Sequence, residues 1–293
     1  TEQRALPFPP AYVVIQNVRT LFTVFALRGG HHNEYVNFIR IEVWLAFASI
    51  FWIAGAFAEG DARWTLWLTA LAIDFFAPWV RFWVPGLGSS AVSDWSVDPA
   101  HIAERCGLFV IIALGESVIM TGATFAELQW DPYNTAGFAA AFIGTVAMWW
   151  VYFATTAEEA SELFERRTDP GTLARAAYTY AHIPIIAGVI LTAVGDELVL
   201  AHPVGHMETN VAMVLAGGPA LFLVGSGLFR WMTCGDAPVS HAIGFALIGI
   251  VAVMFWEGPP VALSGATSLA LCFVGAWEAV RRRRGYRVAH HAH

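Results

Sequence analysis

Lysine is missing altogether from these 293 residues, and arginine supplies all 16 basic side chains. That bias reflects codon usage as readily as function, so no chemistry follows from it. Charge of either sign is scarce: charged residues make up 13% of the chain against 57% hydrophobic, with a mean hydropathy of +0.56. A soluble chain of this length needs a polar shell that so few charges cannot build. The net charge of −7 argues against a nucleic-acid partner. Cysteine is sparse as well. Cys106, Cys234 and Cys272 lie far apart in apolar runs with no CxxC or CxxH pair. Zinc and disulfide frameworks are therefore not indicated, and single interior thiols are expected. No signal peptide is read, and there is no Walker A loop, GxSxG elbow or HExxH helix. No cofactor or metal is expected. The chain opens on Thr1 rather than methionine, and it is expected to begin partway into a longer protein.

What the sequence does have is apolar length. A helix crossing the hydrocarbon core needs roughly 20 mostly apolar residues. Windows of that kind fall near 11–27, 38–58, 63–83, 101–122, 134–155, 176–199, 210–231, 239–257 and 261–280. The first is the weakest, because Gln16, Asn17 and Arg19 interrupt it. The expectation is an all-α polytopic transmembrane bundle of about nine spans, forming a single domain over 1–293. Arginine placement supports the count. Arg281–Arg284 follow the last span, which predicts a cytoplasmic C-terminus. Walking back through alternating spans puts 13 of the 16 arginines on the same side, and the N-terminus outside. Residues 85–100 read as a turn-rich inner loop, and the charge run at 158–170 as a solvated helix extension.

Ionisable groups at membrane depth are the informative residues, since each costs about 2.5–3.5 kcal/mol at a helix centre unless protein or water receives it. Arg19, Asp74 and Glu116 are the deep ones. At about 100° per residue, His101, Glu104, Arg105, Gly115 and Glu116 fall on one stripe, with Leu108 and Ile112 between. Glu116 is the candidate central acid for transport, with Arg19 as its pairing candidate. Gly115 is expected to admit a close neighbour beside it. His101, Glu104 and Arg105 form an interfacial cluster. His182, Asp196 and Glu197 share one face of the sixth span, and Gly195-Asp196 echoes Gly115-Glu116. Spans four, six and eight run the same way, which suggests parallel helical-hairpin repeats. Glu257, off the face of His241, breaks the third copy. Pro184 and Pro219 are places where a helix could be interrupted.

The segment His101 to Gly122, HIAERCGLFVIIALGESVIMTG, resembles the signature of the bacterial low temperature requirement protein A family. The likeness lies in the order His, Glu-Arg, Gly-Leu-Phe-Val-Ile-Ile, Leu-Gly-Glu-Ser. Cys106 replaces the usual aromatic after Glu-Arg. Trp67 to Pro78, with Asp74, and Tyr180 to Pro184 followed by Gly195-Asp196 extend the resemblance over most of the chain. Members usually begin with a Glu-Leu-Phe-Phe-Asp-Leu-Val-like motif. This chain has none, so the opening part of the pattern is expected to be missing. The resemblance implies a multi-pass protein of the bacterial cytoplasmic membrane, but the family name denotes a growth phenotype and no reaction. The leading expectation is a transporter or channel-like protein for protons, ions or a small solute. The alternatives are a membrane-embedded enzyme on a lipid or lipid-linked substrate, with Arg105 holding a phosphate, and a non-catalytic stress-response protein. Expected partners are membrane lipids, a small solute or ion, and a second copy in a homo-oligomer.

Overall fold

The computed structural model describes residues 8–30, 32–90, 99–153 and 174–291. The expected charge run at 158–170 and most of the far half of the 85–100 loop lie outside them. Among the described residues there are nine α-helices: α1 (Phe8–Ala26), α2 (His32–Phe57), α3 (Gly60–Trp79), α4 (Pro99–Glu127), α5 (Pro132–Val151), α6 (His182–Ala201), α7 (Thr209–Cys234), α8 (Val239–Met254) and α9 (Pro260–His291). Each falls on one expected span. Six of them, α2, α4, α5, α6, α7 and α9, are long and apolar enough to cross a membrane by length and composition. Helix α8 is apolar but has 16 residues. Gln16, Asn17 and Arg19 dilute α1, and Asp61, Arg63 and Asp74 dilute α3. The fold is a helical membrane bundle, and exposed residues such as Phe142, Ile190, Met213 and Phe245 suit a lipid-facing surface.

The helices gather into two compact units, Thr1–Ser96 and Val97–His293. In the first, α2 packs on both α1 and α3. Asn17 Nδ2 donates to Ser49 Oγ at 2.9 Å, and Trp67 Nε1 donates to the Trp52 carbonyl at 3.3 Å. Helix α3 ends just beyond Pro78, where the chain turns through Arg81 and Phe82 at φ 55° and 50°. Three side chains of α2 hold this turn. The Arg40 guanidinium donates to the Leu87 carbonyl, Trp44 Nε1 donates to Trp83 O at 3.1 Å, and the Ser90 hydroxyl meets Asn37 Oδ1. An L-residue at positive φ costs roughly 1–2 kcal/mol that glycine does not. Arg81→Gly is therefore expected to stabilise the chain by about 1 kcal/mol, after glycine's greater freedom in the unfolded state is subtracted. A melting temperature in detergent at or below that of the parent chain refutes this.

The second unit contains α4 to α9. Contact pairs fix its directions. Gly188 lies against Phe222 and Gly225 against Ile185, so α6 and α7 are antiparallel. Gly244 meets Val274 and Ser240 meets Glu278, so α8 and α9 are antiparallel too. Helices α5 and α9 run parallel: Ser268 Oγ donates to Ala140 O at 2.9 Å, and Gly275 packs on Trp150. Small residues make these contacts possible, because lipid tails are as apolar as the helices and only close packing favours association. A Cβ at Gly188 would stand 2.4 Å from the Phe222 nitrogen, and one at Gly218 2.6 Å from the Thr192 nitrogen.

Local signals set the helix ends. Asp131 caps α5, accepting from Tyr133 N at 2.8 Å and Asn134 N at 3.0 Å, with Pro132 in the first turn. Gly235, at φ 76°, closes α7 in the left-handed conformation. Pro219 leaves α7 unbroken. Pro184 behaves differently. It lies in the first turn of α6, and the preceding Ala174–Ala181 is a π-helical stretch. Proline removes the N–H that would bond Tyr180 and crowds that carbonyl, and a widened turn relieves the clash.

Candidate functional site

Two polar clusters share one end of the second unit. The end of α7, the start of α8 and the late turns of α9 come together there because the three helices form consecutive antiparallel hairpins. Arg230 on α7 is 1% exposed and Glu278 on α9 is 3% exposed, and Arg230 Nη1 sits 3.1 Å from Glu278 Oε2. The Ser240 hydroxyl in the first turn of α8 donates to the other Glu278 oxygen. Ser240 Oγ also lies 3.1 Å from His241 Nδ1. At the rim, Asp236 pairs with Arg281 at 2.6 Å and lies 3.9 Å from Arg230. Removing two charges from water is costly, and this pair is held by geometry and by the extra bond from Ser240.

Phe229 precedes Arg230 and belongs to the second cluster. His182 Nδ1 lies 3.1 Å from the Ala177 carbonyl, and Nε2 lies 2.7 Å from the Tyr152 hydroxyl. A carbonyl only accepts, so Nδ1 carries the proton and Nε2 accepts from Tyr152. Tyr178 stacks on the imidazole at 5.7 Å, and Phe229 meets it edge-on at 4.8 Å. The Cys106 thiol donates to Tyr178 O at 3.4 Å. Both nitrogens of His182 are thus engaged, and the ring joins α5, the π-helical turn and α7.

Asp196 occupies the other end of α6. It is 4% exposed, and its Oδ2 has no hydrogen-bond partner among the described residues. Gly195 beside it packs on Leu215, and Val199 one turn on joins the apolar cluster of Met207, Ala212, Leu215 and Leu263. Glu197 is half-buried. His182 and Asp196 share α6 but are separated by about 21 Å at 1.5 Å per residue, so they do not form one site.

The α4 stripe is also one face, and it turns outward. Val110, Leu114, Ser117 and Thr121 are the buried line, spaced four, three and four. His101, Glu104, Arg105, Leu108, Ile112 and Glu116 lie opposite and are exposed. At Gly115, no described residue lies within 4 Å of where its Cβ would stand. It sits beside the exposed face, whereas Gly188, Gly218, Gly225 and Gly244 each admit a close neighbour. Arg19, expected to pair with Glu116, donates to Gln16 Oε1 at 2.8 Å. In the first unit, the half-buried Asp74 accepts from Trp52 Nε1 at 3.0 Å and from the Tyr12 hydroxyl at 3.4 Å.

Tyr152, Tyr178, Ser240 and Trp52 were not singled out in the sequence. Each is an ordinary membrane-helix residue until a distant partner is brought to it. Arg230 and Glu278 each sat near a span end, and nothing in the spacing joined them across 48 residues.

The family model described as bacterial low temperature requirement A protein (LtrA) matches residues 1–276. An uncharacterized protein of Rhizobium meliloti (strain 1021) is 37% identical over 276 residues, covering 94% of this chain and 67% of that one. No solved structure matches the chain.

Proposed function

We propose that this chain, which belongs to the bacterial low temperature requirement A family, is a transport or channel-like protein that carries a proton, an ion or a small solute across the membrane. The family and its apolar helices make it a multi-pass bacterial membrane protein. The observation that carries the transport reading is the Asp196 carboxylate, enclosed by α6 and its neighbours with one oxygen unpartnered among the described residues. A buried acid near the end of an apolar helix, with no basic side chain against it among the described residues, must take up a proton or cation, or stand on a water path. Glu116 is a second acid for the same route. Its stripe cannot lie against hydrocarbon without the cost of a deep charge, so the α4 face lines the path or meets a second copy of the chain. In this reading α1, α3 and α8 also span the membrane, and the arginine-rich ends, including Arg281–Arg284, are cytoplasmic.

Asp196→Asn in the reconstituted chain is expected to abolish flux, with the melting temperature kept, because Asn preserves the shape and loses the exchangeable charge. Full flux in that variant, or no flux in the parent, removes the reading. A cysteine at Ile112, in a background freed of Cys106, Cys234 and Cys272, tests the α4 face separately. It is expected to react with a membrane-impermeant thiol reagent. Complete protection places the face against lipid or protein and refutes the path.

A second reading, an enzyme on a lipid or lipid-linked substrate, draws on the exposure of His101, Glu104 and Arg105 at the start of α4. Arginine there suits a phosphate headgroup. Turnover of a phospholipid lost in Arg105→Gln, without any flux in the parent, favours it.

A further inference from the structure

The Ser240–His241 step is the part of the charged cluster that ion pairing alone does not require. Ser240 has one hydroxyl proton, and it goes to Glu278. The Ser240 oxygen can then only accept from His241 Nδ1, 3.1 Å away, so Nδ1 carries the ring proton and Nε2 bears the lone pair. His241 is 3% exposed, and its Nε2 has no partner among the described residues. A buried imidazole with a bare acceptor nitrogen at one edge and a hydrogen-bonded path to a carboxylate at the other is built to receive a proton. The groups that face it from the two packed helices are Arg230, with Asp236 beyond the end of α7, and Glu278 and Arg281 on α9. Asp236 is 57% exposed and Arg281 41%, so water reaches the rim of the same cluster.

We propose that His241 Nε2 is a proton-binding site whose occupation moves Arg230 from Glu278 to Asp236. The step balances. A proton from water bonds to Nε2, the Nδ1 proton passes to Ser240 Oγ, and the Ser240 proton passes to Glu278. Histidine ends neutral with its proton on Nε2, and Glu278 ends as a neutral acid. Asp236, at 3.9 Å, is then an anion within reach of Arg230. The ion pair changes from one joining α7 to α9 in the interior to one at the end of α7. The proposal concerns this end of the second unit and holds whether or not the chain transports a cargo.

The test uses the whole chain in lipid nanodiscs with 15N-labelled histidine, the His241 signal being assigned by its loss in His241→Gln. At alkaline pH His241 is expected to hold the Nδ1–H tautomer. On acidification that signal should be lost while an infrared band of a protonated carboxyl group appears over the same pH range. The band should vanish in Glu278→Gln. If that variant does not fold, Ser240→Ala is the milder probe. It should lose the carboxyl band while His241 still takes up a proton. Asp236→Asn, which removes the landing place of Arg230, should shift the whole transition to lower pH. A His241 tautomer unchanged down to acid unfolding overturns the proposal. So does a band that survives Glu278→Gln, or one that Ser240→Ala leaves in place.

Discussion

Gly188→Leu is expected to prevent the chain from folding, or to leave it with a loss of stability on the order of 4–5 kcal/mol. The α6–α7 crossing leaves no room. A first side-chain carbon at position 188 already stands 2.4 Å from the Phe222 nitrogen and 2.7 Å from its Cα, and backbone cannot rotate away. The same helices touch again at Gly218 against Thr192 and at Gly225 against Ile185, so pushing them apart at one point loosens the whole seam. Gly115→Leu is the control. Its Cβ meets no described residue within 4 Å, and the melting temperature should stay that of the parent. The measurement is thermal unfolding in detergent with expression level. Equal behaviour of the two leucine variants, in either direction, contradicts the packing described here. A Gly115→Leu chain that melts normally yet fails in flux or growth would mark the α4 face as functional rather than structural.

The second large effect belongs to the buried ion pair. Glu278→Ala leaves the Arg230 charge in the interior with its α9 partner removed, and Arg230→Ala does the same to Glu278. Each is expected to cost about 3–5 kcal/mol, because breaking one side of a buried pair strands the other. Arg230→Leu combined with Glu278→Leu should be much milder than the sum of the single variants, since neither charge of the pair is then left stranded by loss of the other. The asymmetry between the singles also has a direction. Asp236 lies 3.9 Å from Arg230, so Glu278→Ala leaves that arginine an alternative and should cost less than Arg230→Ala. Unfolding of the four chains in a double-mutant cycle checks this. Additive losses mean that the two residues do not act as a pair.

Glu116 and Glu278 illustrate how the site divided between sequence and structure. The stripe from His101 to Glu116 was legible, because a helical period of 3.6 groups residues on one face whatever surrounds the helix. The direction of that face was not, and neither was the openness at Gly115. The expected pairing of Arg19 with Glu116 rests on both being deep and opposite in charge, and what Arg19 meets within its own unit is Gln16, one turn away on its own helix. In the sequence Glu278 is one acid near the end of the last expected span. It became the centre of a buried network because the α7–α8 and α8–α9 turns bring Arg230 and Ser240 to it. The type and position of His182 are legible in the sequence, whereas its partner Tyr152, 30 residues away, is not.

The sequence by itself determined that the chain is helical and lives in a membrane. Length and apolarity are sums along one segment, and each of the nine expected segments became a helix. Arginine counts, cap residues such as Asp131 and Gly235, and the faces of single helices are local in the same way. Only the tertiary structure decided how each helix is turned about its axis, and so which polar side chains meet. The physical reason is that in a membrane protein the interior and the lipid are almost equally apolar. Hydropathy therefore cannot tell a buried face from an outer one. That choice is made by close packing between helices, at Gly188, Gly218 and Gly225, and by partners that lie far apart in the chain.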